Sequence, residues 1–297
     1  MVIKNRSRIC LIVSCAIIVI ALLLTVFGHG VNLGIDFEGG LSMQYDMKTA
    51  VDSSVVSNVL SGMGVASSTV TVQGQNNNEV NIRIKDVAQD DIQKVQADFE
   101  TAVRETYPEA ESIGDVNYVG PVAGATLVRN AVISVLLASA LMLIYIAIRF
   151  DLNSGLAAVF GLLHDVLIML SFMVIFRSVI QMNSSFIAAA LTIVGYSINN
   201  TIVIFDRIRE NAKKMPNIPR EEVTNISIKE SLGRTICTTV TTLITIVALC
   251  ILGVASIREF ALPIIVGILS GVYSANMING YVWAFLEEKR RSRKAKA

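Results

Sequence analysis

The chain has 297 residues, of which 53% are hydrophobic and 16% charged; its mean hydropathy is +0.59 and its formal net charge +1. That balance excludes an ordinary water-soluble domain, and the apolar residues fall in long runs, as a membrane protein requires. Cys10 and Cys15 lie in one apolar run and Cys237 and Cys250 in another, so no disulfide framework is expected. The pattern contains no metal-ligand cluster and no phosphate-binding glycine loop, and no cofactor is expected.

In chain order, Lys4, Arg6 and Arg8 in a short segment 1–8 precede an apolar run that reads as a first span over 9–28. It is longer than a signal-peptide core and lacks a small-x-small site, so it is expected to stay uncleaved. Residues 29–125 are polar and rich in turn residues. LSMQYDM (41–47) alternates as a strand with Leu41, Met43, Tyr45 and Met47 on one face. Val51 to Met63 reads as a helix, two strands at 68–74 and 79–85 flank the loop QNNN, Asp90 to Thr106 is a second helix, and Ser112 to Val119 a last strand. The order βαββαβ predicts a small α+β, ferredoxin-like domain.

Five further apolar runs, 126–148, 155–176, 184–205, 232–254 and 260–285, are each long enough to cross a hydrocarbon core of about 30 Å. The fold class is therefore an α-helical polytopic membrane protein with six spans and one extracytoplasmic domain between the first and second. Arg149, the loop 206–231 and the basic tail 286–297 fall on the side of the N-terminus, which places both termini in the cytoplasm. The tail reads as a topology determinant beside the membrane lipid rather than a nucleic-acid-binding arm.

Polar residues inside the spans are the candidate functional groups. The fourth run reads VGYSINNTIVIFDRIREN (194–211) and puts Thr192, Tyr196, Asn199, Val203 and Asp206 along one side, with Ser197 and Asn200 beside it. Either a packing seam of small and amide residues or a wet functional face fits that pattern. His164 and Asp165 lie near mid-bilayer in the third span, where a carboxylate must be paired, protonated or hydrated. Arg234 opens the fifth span, with Thr238, Thr241 and Thr245 at helical spacing beyond it; the line suggests a hydrated face, although packing or snorkelling would also explain it. Asn200 and Arg234 count to similar depths, so direct or water-bridged contact is expected, whereas Asp165 counts deeper. Gly267 and Gly271 form a small-xxx-small pattern for close helix approach; Gly280 adds little.

Several blocks together resemble the SecF family, the six-span subunits that work with SecD in bacterial protein export. They are NLGIDFEGG (32–40), GPVAG (120–124), YIAIRFD (145–151), LLHDV (162–166), the fourth-span block and RTICT (234–238), in order and over essentially the whole chain. The resemblance implies half of a resistance-nodulation-division-type bundle, completed by SecD to about twelve spans in the bacterial plasma membrane. It also implies partnership with the Sec channel complex, an external domain that holds or pulls translocating unfolded polypeptide, and drive from the proton-motive force, with no enzymatic reaction. Asp36, Gly39 and Gly40 take the family's external motif, and Arg234 its fifth-span arginine.

One departure matters. The family usually reads SINDT in the fourth span, where the Asp is taken as a proton carrier; this chain has Asn200 there, and an amide does not titrate. Three explanations stand: the SecD partner carries the proton and this chain follows as a scaffold, which is preferred; Asp165 takes the role; or another cation such as Na⁺ drives the cycle. Asp206 at the membrane edge is expected to fix the end of the fourth helix against Arg207 or Arg209. An ion-driven small-molecule or lipid exporter of the same superfamily is the competing function. It would need two external domains and about twelve spans in one chain. A membrane hydrolase would need a nucleophile–base or metal constellation that the pattern lacks.

Overall fold

The computed structural model describes residues 3–65, 68–74, 76–85, 87–114, 116–178, 180–253 and 255–294. Gln75 of the QNNN loop, residues 1–2 of the N-terminal segment and residues 295–297 of the tail lie outside them. By contact, the chain forms two units: Met1–Val31, Ile133–Arg177 and Ser185–Ala297 make one, and Asn32–Val132 with Ser178–Ser184 the other.

The second unit is the α+β domain. Its elements are α2 (Ile35–Glu38), β1 (Gly40–Asp46), α3 (Ser53–Gly62), β2 (Ser68–Gln73), β3 (Glu79–Ile84), a 3₁₀ turn (Gln89–Asp91), α4 (Ile92–Thr106), β4 (Glu111–Ser112) and β5 (Asn117–Val119). The sheet runs β2-β3-β1-β4, all antiparallel, with β5 also on β1. This is the strand order that two split βαβ units produce. The predicted last strand is broken in two, because Gly114 at φ +97° turns the chain between β4 and β5. Leu41, Met43, Tyr45 and Met47 are 0–1% exposed on one face of β1 and pack under Val56 and Leu60 of α3 and Phe99 and Val103 of α4. α3 starts where the Asp52 carboxylate accepts from the Ser54 amide at 2.9 Å, a contact that also holds the Asp52 carboxyl below its usual range.

The other unit is helical. Six helices are long and apolar enough to cross a membrane. They are built from α1 (Ile3–Val26), α5 (Pro121–Arg149), α6 (Leu152–Ile175), α7 (Ser184–Lys214), α8 (Arg220–Leu252), and α9 (Ala255–Ser274) with α10 (Gly280–Lys294). Between α9 and α10 the chain makes a π-helical turn, Ala275–Asn279. Where the sequence suggests a loop over 206–231, α7 runs on to Lys214 and α8 begins at Arg220. Side-chain contacts sustain that extension beyond the apolar run: Asn211 donates to Ser227 Oγ (3.0 Å) and to Glu230 (2.7 Å), and Arg207 pairs with Glu230 (2.7 Å) and Glu210 (2.6 Å).

The small-xxx-small pattern has a steric reason. A Cβ on Gly267 would collide with the Ile193 side chain, and one on Gly271 would lie 3.2 Å from Ser197 Cα, so the glycines let α9 approach α7. Gly280 has a contact that its position did not suggest: its Cβ would meet Thr224 Cγ2 at 2.8 Å.

Phe99 is fully buried and its ring lies 5.1 Å from that of Tyr45. Phe99→Ala should therefore destabilise the α+β domain by about 3–5 kcal/mol. Thermal unfolding of the full chain in detergent, followed by protease sensitivity of residues 32–132, checks this; a change below about 1 kcal/mol would contradict the packing.

Candidate functional site

Among the described residues of the helical unit, Asp165 is the most enclosed charged side chain, 0% exposed, at the fourteenth position of the 24-residue α6. At 1.5 Å per residue it sits roughly 20 Å from one end of that helix and 15 Å from the other. Four groups on its own chain surround it. Oδ1 accepts from Ser270 Oγ (2.7 Å) and faces His164 Nδ1 (2.9 Å); Oδ2 accepts from Ser197 Oγ (2.5 Å) and Ser274 Oγ (2.9 Å). Ser270 and Ser274 are one turn apart on α9, and Ser197 comes from α7, so three helices supply the shell. A carboxylate can accept about four such bonds, and here its capacity is filled by protein.

His164 carries the network onward. Its Nε2 lies 2.8 Å from Ser14 Oγ on α1, and its ring stacks on Tyr273 of α9 at 6.0 Å. Tyr273 in turn donates to the Cys10 carbonyl at 2.6 Å. One turn from Asp165, a layer of amides adjoins the site. Asn279 donates to Thr201 Oγ1 (2.9 Å), and a Cβ at Gly161 would collide with its amide. Asn276 and Asn279 each keep a buried Oδ1, and Asn200 a buried Nδ2, with no partner among the described residues. Buried amide atoms left in that state are costly. The π-helical turn puts both Asn276 and Asn279 there, and such turns recur at functional sites.

The remaining candidates separate. On α7, Ser197, Asn200 and Thr201 are 1–2% exposed, whereas Thr192, Asn199 and Asp206 are exposed. The inward seam is therefore the flank of the expected stripe rather than its centre. Arg234 and Thr238 are exposed, and no hydrogen bond or ion pair joins Arg234 to Asn200 among the described residues. Counting residues gives depth but not direction around the helix; beside Arg234 and Thr238 on α8 it is Thr235 and Thr239 that are buried, the latter hydroxyl 3.3 Å from Tyr196 Oη. The outer hydroxyls are satisfied by their own helix: Thr238 donates to the Arg234 carbonyl (2.9 Å), Thr241 to Thr238 (2.9 Å) and Thr245 to Thr242 (2.7 Å). Asp206 pairs with Arg149 at 3.8 Å, not with Arg207 or Arg209, because Arg207 turns toward Glu230 and Arg209 donates to the Arg149 carbonyl.

A family model described as protein export membrane protein SecD/SecF, C-terminal, matches residues 98–289, and a second, the SecD/SecF GG motif, matches residues 25–51. The chain belongs to the SecD/SecF family. It is 33% identical over 264 residues to the protein translocase subunit SecF of Rickettsia typhi, covering 89% of this chain and 84% of the relative. With the SecF of Calditerrivibrio nitroreducens it shares 34% over 292 residues, 97% and 94% of the two chains. The crystal structure of the translocon-associated SecDF from Thermus thermophilus superimposes with a TM-score of 0.80 at 33% identity; it covers 96% of this chain, which spans 38% of that longer one.

Within the SecD/SecF GG motif, the α+β unit shows why those residue types stand there. Gly39 has φ +79° and Gly40 φ +118°, and a Cβ on Gly40 would collide with the Ile84 carbonyl, so the turn into β1 needs both glycines. Asp36 Oδ2 accepts from the backbone N–H of Ser184, the first residue of α7, at 2.7 Å. Around it, the Met182 amide donates to the Asn32 carbonyl and the Gly34 amide to the Met182 carbonyl, both at 2.8 Å. Arg83, 7% exposed, donates to the Leu33 carbonyl at 2.8 Å. The motif thus seats Met182 and Ser184 on the domain.

Sequence reasoning found Asp165, His164 and Ser197 but gave no weight to Ser14, Ser270, Ser274, Tyr273, Asn276 or Asn279. The available signal was spacing: Ser270 and Ser274, like Gly161 and Asp165, are four apart on one helix face. Gly161→Ala should push the Asn279 amide off Thr201 and cost about 1–3 kcal/mol. Thermal stability of the purified chain in detergent reads this out, and an unchanged midpoint would show that the Asn279 layer yields freely.

Proposed function

We propose that this chain is the SecF subunit of a bacterial protein translocase. It assembles in the plasma membrane with a SecD-type partner and the Sec channel, and uses the proton-motive force to promote passage of unfolded polypeptide. It is an accessory subunit without a reaction of its own, with both termini in the cytoplasm, as the distribution of arginine and lysine indicates. The translocase role draws support from the SecF relatives, and the partner from the SecDF chain, which is more than twice as long. The exposed line of Arg234, Thr238, Thr241 and Thr245 is a surface suited to a second membrane subunit, since a permanent cation is costly against lipid alone.

The observation that carries proton coupling is the His164–Asp165 pair, buried near the middle of α6 and bonded to three other helices. Where relatives of this family are expected to place an acid in the fourth span, Asn200 cannot bind a proton. The pair can: one proton more or less changes its charge without any water. Its gain or loss would alter bonds to α1, α7 and α9 together, which is the means by which a proton could reposition helices. A second reading, in which Na⁺ replaces the proton, draws on the unpartnered Oδ1 atoms of Asn276 and Asn279, because hard cations take oxygen ligands.

Inverted membrane vesicles holding this chain with its SecD partner test the choice. Asp165→Asn should reduce proton-motive-force-dependent translocation to the level seen without a gradient; full dependence in the variant would remove Asp165 from coupling. Loss of translocation when Na⁺ alone is withdrawn would favour the second reading. Arg234→Ala should lower the translocation rate and weaken co-purification of the SecD partner, and unchanged values of both would place Arg234 outside the assembly.

A further inference from the structure

Among the described residues of α1, Ser14 is the only buried polar side chain, 2% exposed on a helix whose leucines, isoleucines and valines are largely exposed. Its hydroxyl has two neighbours in reach: His164 Nε2 at 2.8 Å and Tyr273 Oη at 3.4 Å. The far end of this chain of bonds has a fixed direction. The Cys10 carbonyl can only accept, so Tyr273 donates to it at 2.6 Å and keeps a lone pair for Ser14.

Counting protons along the chain gives two arrangements. When Ser14 donates to Tyr273, its lone pair receives an N–H from His164 Nε2. Nδ1 and Asp165 Oδ1, 2.9 Å apart, must then hold a proton between them, and the pair is loaded, as imidazolium with carboxylate or as imidazole with carboxylic acid. When Ser14 instead donates to Nε2, the neutral imidazole carries its single proton on Nδ1, which donates to an ionised Asp165. The pair then holds one proton fewer. The two arrangements differ by one proton and one rotation about the Ser14 Cβ–Oγ bond. Among the described residues, the titratable group facing the pair from a neighbouring helix is Tyr273 of α9, stacked on His164 and bonded to the Cys10 carbonyl of α1; α7 contributes the Ser197 hydroxyl and α9 those of Ser270 and Ser274, and the polar side chains of the π-helical turn are amides.

We infer that Ser14 is a two-position hydroxyl switch that reports the proton load of the His164–Asp165 pair to α1 and α9: it bonds Tyr273 when the pair is loaded and His164 when it is empty. This rests on the proposed role of the pair in proton coupling. Ser14 is a positioning residue, since it neither keeps nor consumes the transported proton. It gives the first span a part in coupling beyond anchoring.

The test is the pH dependence of proton-motive-force-driven translocation in vesicles containing the full chain and its SecD partner. Ser14→Ala should shift the pH midpoint by about half a unit or more, roughly a threefold change in proton affinity, while Ser14→Thr keeps the original midpoint. Tyr273→Phe should shift the midpoint in the native background and add nothing in Ser14→Ala, because both substitutions break one device. An unmoved midpoint in Ser14→Ala, or an equal Tyr273→Phe shift in both backgrounds, overturns the switch. Should Asp165→Asn keep the native pH profile, the proton site itself is misassigned and the switch falls with it.

Discussion

A carboxylate at the centre of a hydrocarbon layer has to bring its own solvent. Insertion of such a group costs roughly 2.5–3.5 kcal/mol even with the usual relaxations. For Asp165 the chain supplies the shell from Ser197, Ser270, Ser274 and His164. That requirement fixes where α6, α7 and α9 cross, because hydroxyls on short side chains reach only when the backbones are close. The glycines follow from it. Gly271 admits Ser197, Gly267 admits Ile193, and Gly161 admits Asn279 one turn away. The π-helical turn lets the last span continue from the serine face of α9 to an asparagine layer within a single helix.

Within the helical unit α7 is held at two levels: Ser197 bonds Asp165, and Asn211 bonds Ser227 and Glu230 near its end. The flanking charges belong to a different class of interaction. Asp206 and Arg149 are each half exposed at 3.8 Å, a pair that contributes little by itself. The enclosed bonds set the helix arrangement, and the exposed ones trim its ends.

The parts of this design that repeat with a period were legible in the sequence. Leu41, Met43, Tyr45 and Met47 alternate, so β1 and its buried face could be read from spacing two apart. Span lengths could be read because apolar runs are long. Asp165 stood out as a charge inside such a run. Ser14 did not, since one hydroxyl among leucines carries no local signal and its partner lies 150 positions away. Asn200 and Arg234 show the other limit of one-dimensional reading. Depth can be counted from a helix end, but a shift of a single position, such as Arg234 to Thr235, turns a side chain about 100° from one environment to another. Here it separates an exposed cation from a buried hydroxyl. The ends of α7 and α8 were missed for a related reason: polar helix held by Asn211, Arg207 and Glu230 has the composition of a loop.

Relatives of this chain supply the setting of protein export, while the proposed proton coupling rests on whether one enclosed acid changes protonation. Nitrogen NMR of His164 in the assembled protein in bilayers, followed from about pH 5 to about pH 9, reads this most directly, because each ring nitrogen reports whether it carries a proton. Reversible loading of the pair predicts that the Nε2 signal moves between protonated and unprotonated positions in the native protein and loses that transition in Asp165→Asn. A ring locked in one protonation state across the whole range would contradict it.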